Sequence, residues 1–384
     1  MIYSEPQLGD EDNAVLDLIN EQRKRLAMAT QNSPRRWTGS LRRSTFARNI
    51  QGSNSIEGYH VTIDEAIAAI ENETPPDERA EIWRAINGYR DALTYIMQAA
   101  LDPYFAFSKQ FLKSLHFMMI KYAMDKHPGQ WRPGIIFVVN GKQETVYEAP
   151  PAEEVDGLVQ ELVDYLTGSS QTPPMIRAAM AHLNLTMIHP FKDGNGRMAR
   201  ALQTLVLARE GVLHPVFCSI GEWLGRNTLE YYAILGTTGE GKWTPGRDAM
   251  PWVRFCLKAH YQQAATLIRR TDELSELFDL VEGIIIRRKL DGRMTIALAE
   301  AARGMLITNE RYQRDADVTQ HIASRDLKKL SDLGLIEPSG EKRGRFYRAG
   351  AELKLARNIV RRAQPIADPY KLVAHSIEPL LPHV

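Results

Sequence analysis

The run His189-Pro190-Phe191-Lys192-Asp193-Gly194-Asn195-Gly196-Arg197-Met198-Ala199-Arg200 constrains this chain more than any other stretch. A helical pattern ends near His189, and a second begins near Gly194 and runs to about Glu210, so the run must turn the chain from one helix into the next. Glycines at the turn let the backbone come close to a ligand and offer consecutive N–H groups. The first N–H groups of a helix lack internal partners, and the helix dipole favours an anion there. Arg197 and Arg200 are three apart, share a helical face and can reach the same phosphates. Asp193 offers an oxygen ligand suited to Mg2+, which takes one or two carboxylates together with phosphate oxygens. His189, just before the loop, suits a general base near neutral pH. Each residue alone has an ordinary reading: a satisfied histidine, an N-cap aspartate, a solvated pair of arginines. Phe191 anchors the core in either case. The combination within twelve residues is hard to read as structure only.

Around this run the pattern is mainly helical. Ile82, Ala85, Tyr89, Leu93 and Ile96 step by threes and fours, and Ser108 caps a following helix carrying Leu112, Leu115, Met119 and Tyr122. Residues 135–139 and 145–147 are β-rich and flank Asn140-Gly141, which predicts a lone hairpin. Pro150-Pro151 opens a helix to about Leu166, and Pro173-Pro174 opens another to about His189. Helices are expected over 251–271 and, as a linker, over about 273–289. From 293 the spacing predicts three helices followed by a strand, a turn around 339–344 and a second strand.

At 384 residues the chain suggests two or three domains. The net charge is +1, so nucleic-acid contact would need a local patch. Two cysteines, Cys218 and Cys256, outside any CxxC or Cys/His cluster, argue against a disulfide scaffold and a structural zinc site. The first residues are acidic and polar, unlike a signal peptide, and no apolar run reaches the length of a membrane span. A cytoplasmic location is expected.

The run 189–200 matches in full the pattern HPFx[DE]GNGRxxR, and the chain thereby resembles the Fic (filamentation induced by cAMP) family. Gly129-Gln130-Trp131-Arg132 with the hairpin resembles the family's flap; Glu230-Tyr231-Tyr232 and Trp252-Val253-Arg254-Phe255 resemble its downstream helices. The resemblance covers about residues 35–270, with Leu185-Thr186 standing where many members carry Phe-Glu. It implies a protein adenylyltransferase that uses ATP and Mg2+ to transfer AMP to Ser, Thr or Tyr hydroxyls of a target protein, or of itself. His189 would take the hydroxyl proton and Asp193 would hold Mg2+. The N–H groups around Gly194, Asn195 and Gly196 would form the anion hole, and Arg197 and Arg200 would bind the outer phosphates. Tyr231 and Tyr232 would line the adenine pocket, or simply pack their helix. Gly194, where phosphate-transferring relatives of the Doc branch carry alanine, favours AMP over phosphate.

Upstream, Ser53-Asn54-Ser55-Ile56-Glu57-Gly58 resembles the inhibitory pattern [ST]xxxE[GN] of Fic proteins that carry their own inhibitor. Glu57 would then pair with Arg200 and displace the γ-phosphate. Residues 293–350 resemble a winged helix–turn–helix, with Arg325, Lys328 and Lys329 on the recognition helix and Lys342, Arg343, Arg345 and Arg348 in or near the wing. Balancing acids leave DNA binding, protein binding and homodimerisation all open for this unit. The expected organisation is an N-terminal helical region at 1–107, a catalytic core at 108–272, a linker helix at 273–292, the winged unit at 293–350 and a tail at 351–384. A DNA-binding regulator, transfer of another nucleotide or of phosphate, and removal of AMP from a target remain the alternatives.

Overall fold

A computed structural model of the chain describes residues 1–31, 35–73, 80–139, 142, 144–168, 171–340 and 345–377. The protein is mainly α-helical. Its first helices are α1 (Asp10–Gln31), α2 (Arg35–Ile56), α3 (Ile63–Ile70), α4 (Ala80–Ala99) and α5 (Lys109–Ile120). A hairpin of β1 (Phe137–Val139) and β2 (Thr145–Glu148) follows, then α6 (Val155–Thr167), α7 (Pro174–Ile188), α8 (Asn195–Ala208), α9 (Gly221–Arg226), α10 (Thr228–Gly239) and α11 (Met250–Arg287). The last elements are α12 (Met294–Ala302), α13 (Asn309–Ala316), α14 (Gln320–Asp332), β3 (Ile336–Ser339), β4 (Phe346–Ala349), α15 (Ala351–Val360) and α16 (Pro369–Ile377).

The chain forms two compact units. One holds Met1–Ala27, Ser44–Ala265 and Ile366–Val384; the other holds Met28–Arg43 and Thr266–Pro365. In the first unit α7 and α8 pack along each other, and nearly every residue of both is buried. Close helix approaches depend on glycine. A Cβ at Gly88 of α4 would stand 2.3 Å from the Met119 carbonyl of α5. A Cβ at Gly225 of α9 would stand 2.6 Å from the backbone of Gly52, so α2 lies with its backbone directly on α9. The Asn49 side-chain amide, donating to the Val216 carbonyl at 3.2 Å, secures the same face of α2.

Ser108 caps α5 as its sequence predicts, accepting from Phe111 N at 3.0 Å. β1 and β2 pair antiparallel, Phe137 opposite Glu148 and Val138 opposite Tyr147, with an irregularity before Val139. The expected turn at Asn140-Gly141 lies outside the described residues. The far edge of β2 is occupied, because Glu148 N donates to Gly241 O at 2.8 Å and Trp243 N to Glu148 O at 3.1 Å. β1 is therefore the outer edge of the hairpin.

Two details differ from the sequence reading. The expected break near 272 does not occur, and α11 is continuous from Met250 to Arg287. Thr271, Leu274, Leu277, Phe278 and Val281 carry the buried stripe through, and the acidic residues between them lie on the other faces. The described residues after 350 hold two helices. Leu353, Ala356 and Val360 of α15 join the core of the second unit, together with Leu298, Leu327, Leu330 and Ile336. In that unit β3 pairs antiparallel with β4, and Ile307 bridges Tyr347 as a third, isolated partner.

Candidate active site

The loop between α7 and α8 is held by bonds within itself and by side chains on either side. His189 ends α7 in the left-handed region, with φ +52°, and its N–H still closes the last turn on Leu185 O. Gly194 precedes α8 with φ +79°. A Cβ there would be strained by that conformation and would press on Ile120 Cδ1 at 2.9 Å, so the position favours glycine. Asn195 spans the loop: its Oδ1 accepts from Phe191 N at 2.9 Å and its Nδ2 donates to Phe191 O at 2.8 Å. Its side chain is therefore a clamp. Met198 N makes the first bond of α8, to Gly194 O, and so the N–H groups of Asn195, Gly196 and Arg197 open the helix without α-helical acceptors.

Arg132 ties the hairpin to this loop. Its backbone N–H donates to Pro190 O at 2.9 Å, and its Nε donates to His189 O at 2.9 Å. Its Nη1 and Nη2 donate to Gly134 O and Pro150 O, the two ends of the hairpin. On the other side the Phe191 ring lies against His116, 3.8 Å between centroids and 9° from parallel. The sequence marks Arg132 only as part of a segment and gives no mark to His116, because a lone histidine on a helix face carries no local signal.

His189 is partly buried, and its Nδ1 donates to Thr186 O at 3.2 Å. That bond leaves Nε2 as the basic atom of the ring. Burial pushes its pKa down to about 4, with the Arg132 cation adding to the shift, so the imidazole is neutral at physiological pH. The Asp193 carboxylate accepts from Gly194 N at 2.6 Å and lies 3.8 Å from Arg197 Nη2.

The two arginines are almost fully buried. Arg200 Nε donates to Ser53 Oγ at 2.6 Å, and its Nη2 donates to Ser53 O at 3.1 Å and to Glu57 Oε1 at 2.6 Å. Arg197 Nη1 reaches Tyr122 OH at 3.4 Å, and its guanidinium lies 5.5 Å from the Tyr59 ring centroid. Two donors, Arg197 Nε and Arg200 Nη1, are buried with no hydrogen-bond partner among the described residues. Burial raises the pKa of the Glu57 carboxyl, but the Arg200 and Arg197 cations outweigh it and hold the group below the usual carboxylate range. A Cβ at Gly196 would stand 2.7 Å from Glu57 Oε1, so the carboxylate lies directly against the first turn of α8.

The structure thus brings together His189, Asp193, Gly194, Asn195, Gly196, Arg197, Arg200 and Glu57. Tyr231 is buried and donates to His182 Nε2 at 3.0 Å. His182 in turn donates from Nδ1 to Gln203 Oε1 at 2.6 Å. Tyr232 is half exposed and donates to Ile56 O at 3.1 Å, at the end of α2. Sequence reading placed both tyrosines by resemblance but did not foresee these partners. It also did not foresee Tyr59 and Tyr122 beside Arg197.

A helical core with a hairpin and a glycine-rich helix start, flanked by a histidine and two buried arginines, corresponds to a known class. Residues 106–207 match the Fic/DOC family, and the chain carries a Fic/DOC domain there. It is 25% identical over 295 residues to Protein adenylyltransferase Fic of Nematostella vectensis, covering 71% of this chain and 62% of that protein. It is 27% identical over 251 residues to Protein adenylyltransferase fic-1 of Caenorhabditis briggsae, covering 64% and 45% respectively. The chain therefore spans less than two thirds of the length of these relatives. Among solved structures, a Fic family protein from Desulfovibrio desulfuricans G20 superposes with a TM-score of 0.59 at 23% identity, over 91% of this chain and 99% of that one. Fic-1 from C. elegans superposes with a TM-score of 0.53 at 23% identity, over 66% of this chain and 72% of that one. The Fic fold is common to all three.

Proposed function

We propose that the protein is an auto-inhibited protein adenylyltransferase that transfers AMP from ATP to a hydroxyl of a protein. The observation that carries this reading is the pair of buried guanidinium groups of Arg197 and Arg200, whose Nε and Nη1 respectively have no hydrogen-bond partner among the described residues, beside the open N–H groups of α8. Leaving such charged donors unpaired is costly, and phosphate oxygens are the acceptors that suit them. His189 is the neutral base beside them. Its Nε2 would take the proton from a Ser, Thr or Tyr hydroxyl as that oxygen bonds to the α-phosphorus. The bond from the α-phosphorus to the oxygen bridging to the β-phosphate breaks, and pyrophosphate leaves. The N–H groups of Asn195, Gly196 and Arg197 would hold the charge on the α-phosphate, and Arg197 and Arg200 the outer phosphates.

Asp193, a partly exposed carboxylate at the mouth of the loop, is the residue that suits Mg2+. Bound there, the ion would neutralise charge on the phosphates. Tyr231 is too enclosed to offer its face to a base, whereas Tyr232 is open enough to line an adenine pocket. Glu57 is the brake. Its ion pair with Arg200 takes the cation that a γ-phosphate needs and puts a carboxylate where phosphate oxygens must lie. A Glu57→Gly protein incubated with ATP labelled on the α-phosphate should carry label into protein, whereas ATP labelled on the γ-phosphate should not. Label from the γ-phosphate alone would assign phosphate transfer instead and overturn the reading.

For the second unit we propose a winged helix that contacts duplex DNA. Supporting it are three helices followed by a two-stranded ladder, and the exposed Arg325, Lys328 and Lys329 on α14. The acid on that helix nearest them, Asp326, is buried and pairs chiefly with Arg293 at 2.6 Å and the Tyr312 hydroxyl at 3.1 Å; Arg325 Nε lies farther from it, at 3.8 Å, and Lys328 and Lys329 carry the exposed charge. Arg345 and Arg348 flank the wing, while Lys342 and Arg343 lie outside the described residues. Duplex binding by the full chain should weaken steeply with salt and lose slope when Lys328 and Lys329 become Ala. Salt-insensitive or absent binding would leave protein contact or dimerisation as the role of this unit.

A further inference from the structure

His116 lies on α5, outside the 189–200 run, yet both of its ring nitrogens are spent on the active site. Its Nε2–H donates to Asp193 O at 3.0 Å, and its Nδ1 accepts from Gly129 N at 2.8 Å. The two partners fix a neutral ring protonated on Nε2 only. The ring is fully buried and stacks flat on Phe191. Gly129 sits at the entry to the hairpin with φ +77°, where a Cβ would press on Phe117 and Lys113 O at 3.2 Å. One side chain therefore grips the start of the flap segment and the middle of the phosphate loop.

The grip on Asp193 has a directional consequence. A peptide is planar, and its carbonyl and N–H point to opposite sides. Holding the Asp193 carbonyl toward His116 turns the Gly194 N–H the other way, toward the Asp193 carboxylate that it meets at 2.6 Å. The orientation of this one peptide sets where the Asp193 carboxylate is held, directly before the open N–H groups of α8. We infer that His116 is a positioning residue for phosphoryl-group binding: through Nε2–H it aims the Asp193–Gly194 peptide, and through Nδ1 it ties that peptide to the base of the hairpin. It touches no reacting atom. The inference deepens the proposed adenylyltransferase reading and rests on it for the chemistry, but the geometry of the grip stands by itself.

The test uses substitutions that separate packing from hydrogen bonding, made in the full chain carrying Glu57→Gly. His116→Gln places an amide N–H near the position of Nε2 and restores the donor to Asp193 O. His116→Asn reaches only the position of Nδ1 and restores only the acceptor for Gly129. His116→Phe keeps the stack on Phe191 and restores neither. AMP transfer should stay close to the parent in His116→Gln. It should fall about ten- to a hundredfold in kcat in His116→Asn and His116→Phe, the usual range for a residue that orients the one in contact with ligand. KM for ATP should change less. Nitrogen NMR of the parent should show, among its histidines with a bare Nδ1 and a protonated Nε2, one buried signal that disappears in all three variants. Equal loss in His116→Gln and His116→Asn, or losses that follow thermal stability, would assign His116 to core packing and overturn the inference. If the Glu57→Gly parent transfers no AMP, the adenylyltransferase reading fails. MgATP affinity by calorimetry then decides the positioning role, which requires His116→Gln to bind more tightly than His116→Asn.

Discussion

Glu57→Gly should lower stability and raise activity together, an unusual pairing that follows from one contact. Arg200 is 1% exposed at its side chain and Glu57 24%, and their ion pair is 2.6 Å long. Removing one partner of a fully buried pair costs about 3–5 kcal/mol, because the other charge is stranded, whereas an exposed pair is worth about 1 kcal/mol or less. Here Glu57 is partly solvated, and Arg200 keeps Ser53 Oγ at 2.6 Å and Ser53 O at 3.1 Å as acceptors. The expected loss is therefore about 1–3 kcal/mol. That is a fall of several degrees in thermal midpoint, at about 2–4 °C per kcal/mol for a unit of this size. The backbone change adds little, since Glu57 lies beyond the last residue of α2 and is followed by Gly58 at φ +83°. MgATP should reverse the loss. A ligand at a hundred times its Kd adds about 2.7 kcal/mol, and the variant has the cation free to bind it. Thermal unfolding with and without MgATP, run beside AMP incorporation, is the assay. A variant as stable as the parent, with the same response to MgATP and no rise in transfer, would refute the reasoning.

Other outcomes follow from the same geometry. Burial pushes His116 and His189 down to about 4 and His182 and His260 down to about 3, all below the 6.5 of an unfolded histidine. Groups with folded values below their unfolded ones stabilise the protein fully above pH 6.5 and lose that stability as pH falls toward 3–4. Urea midpoints should thus drop on acidification, at up to about 1.4 kcal/mol per pH unit for each histidine, and a flat profile from pH 6.5 to 4.5 would contradict the burial. The depressed Glu57 acts in the same direction, its contribution being lost as pH falls below the ordinary carboxylate range. Asn195→Ala removes both bonds to Phe191 and should reduce transfer about ten- to a hundredfold in steady-state kinetics, with the fold retained by circular dichroism. Proline substitutions in β1, the free edge of the hairpin, should cut modification of an external protein more than nucleotide binding; equal losses would exclude strand addition of the target at that edge.

Much of the site is legible in the sequence because its parts lie close together along the chain. The turn needs glycine at 194, the helix start needs its N–H groups open, and Arg197 and Arg200 share a face by helical spacing alone. Glu57 lies 143 positions from Arg200 and was reached only by resemblance to a known inhibitory pattern. His116 had no such help. Its partners are 13 and 77 positions away, and its helix reads as an ordinary amphipathic one. Arg132 was hidden similarly, since its role is to bind four carbonyls that only the folded chain gathers. The continuity of α11 is masked in the sequence for a different reason: polar residues cluster near 272, and the buried stripe passes beneath them. Tyr231 and Tyr232 are neighbours in sequence but lie in unlike environments, one enclosed and bonded to His182, the other half exposed against the end of α2.

Intact-mass spectrometry after incubation with ATP and Mg2+ tests the central claim most directly, on the parent protein, Glu57→Gly and His189→Ala, each with and without cell lysate. The account predicts AMP adducts, on the protein or on lysate proteins, that are abundant with Glu57→Gly, scarce with the parent and absent with His189→Ala. Adducts formed equally by the parent and Glu57→Gly, or surviving in His189→Ala, would contradict it.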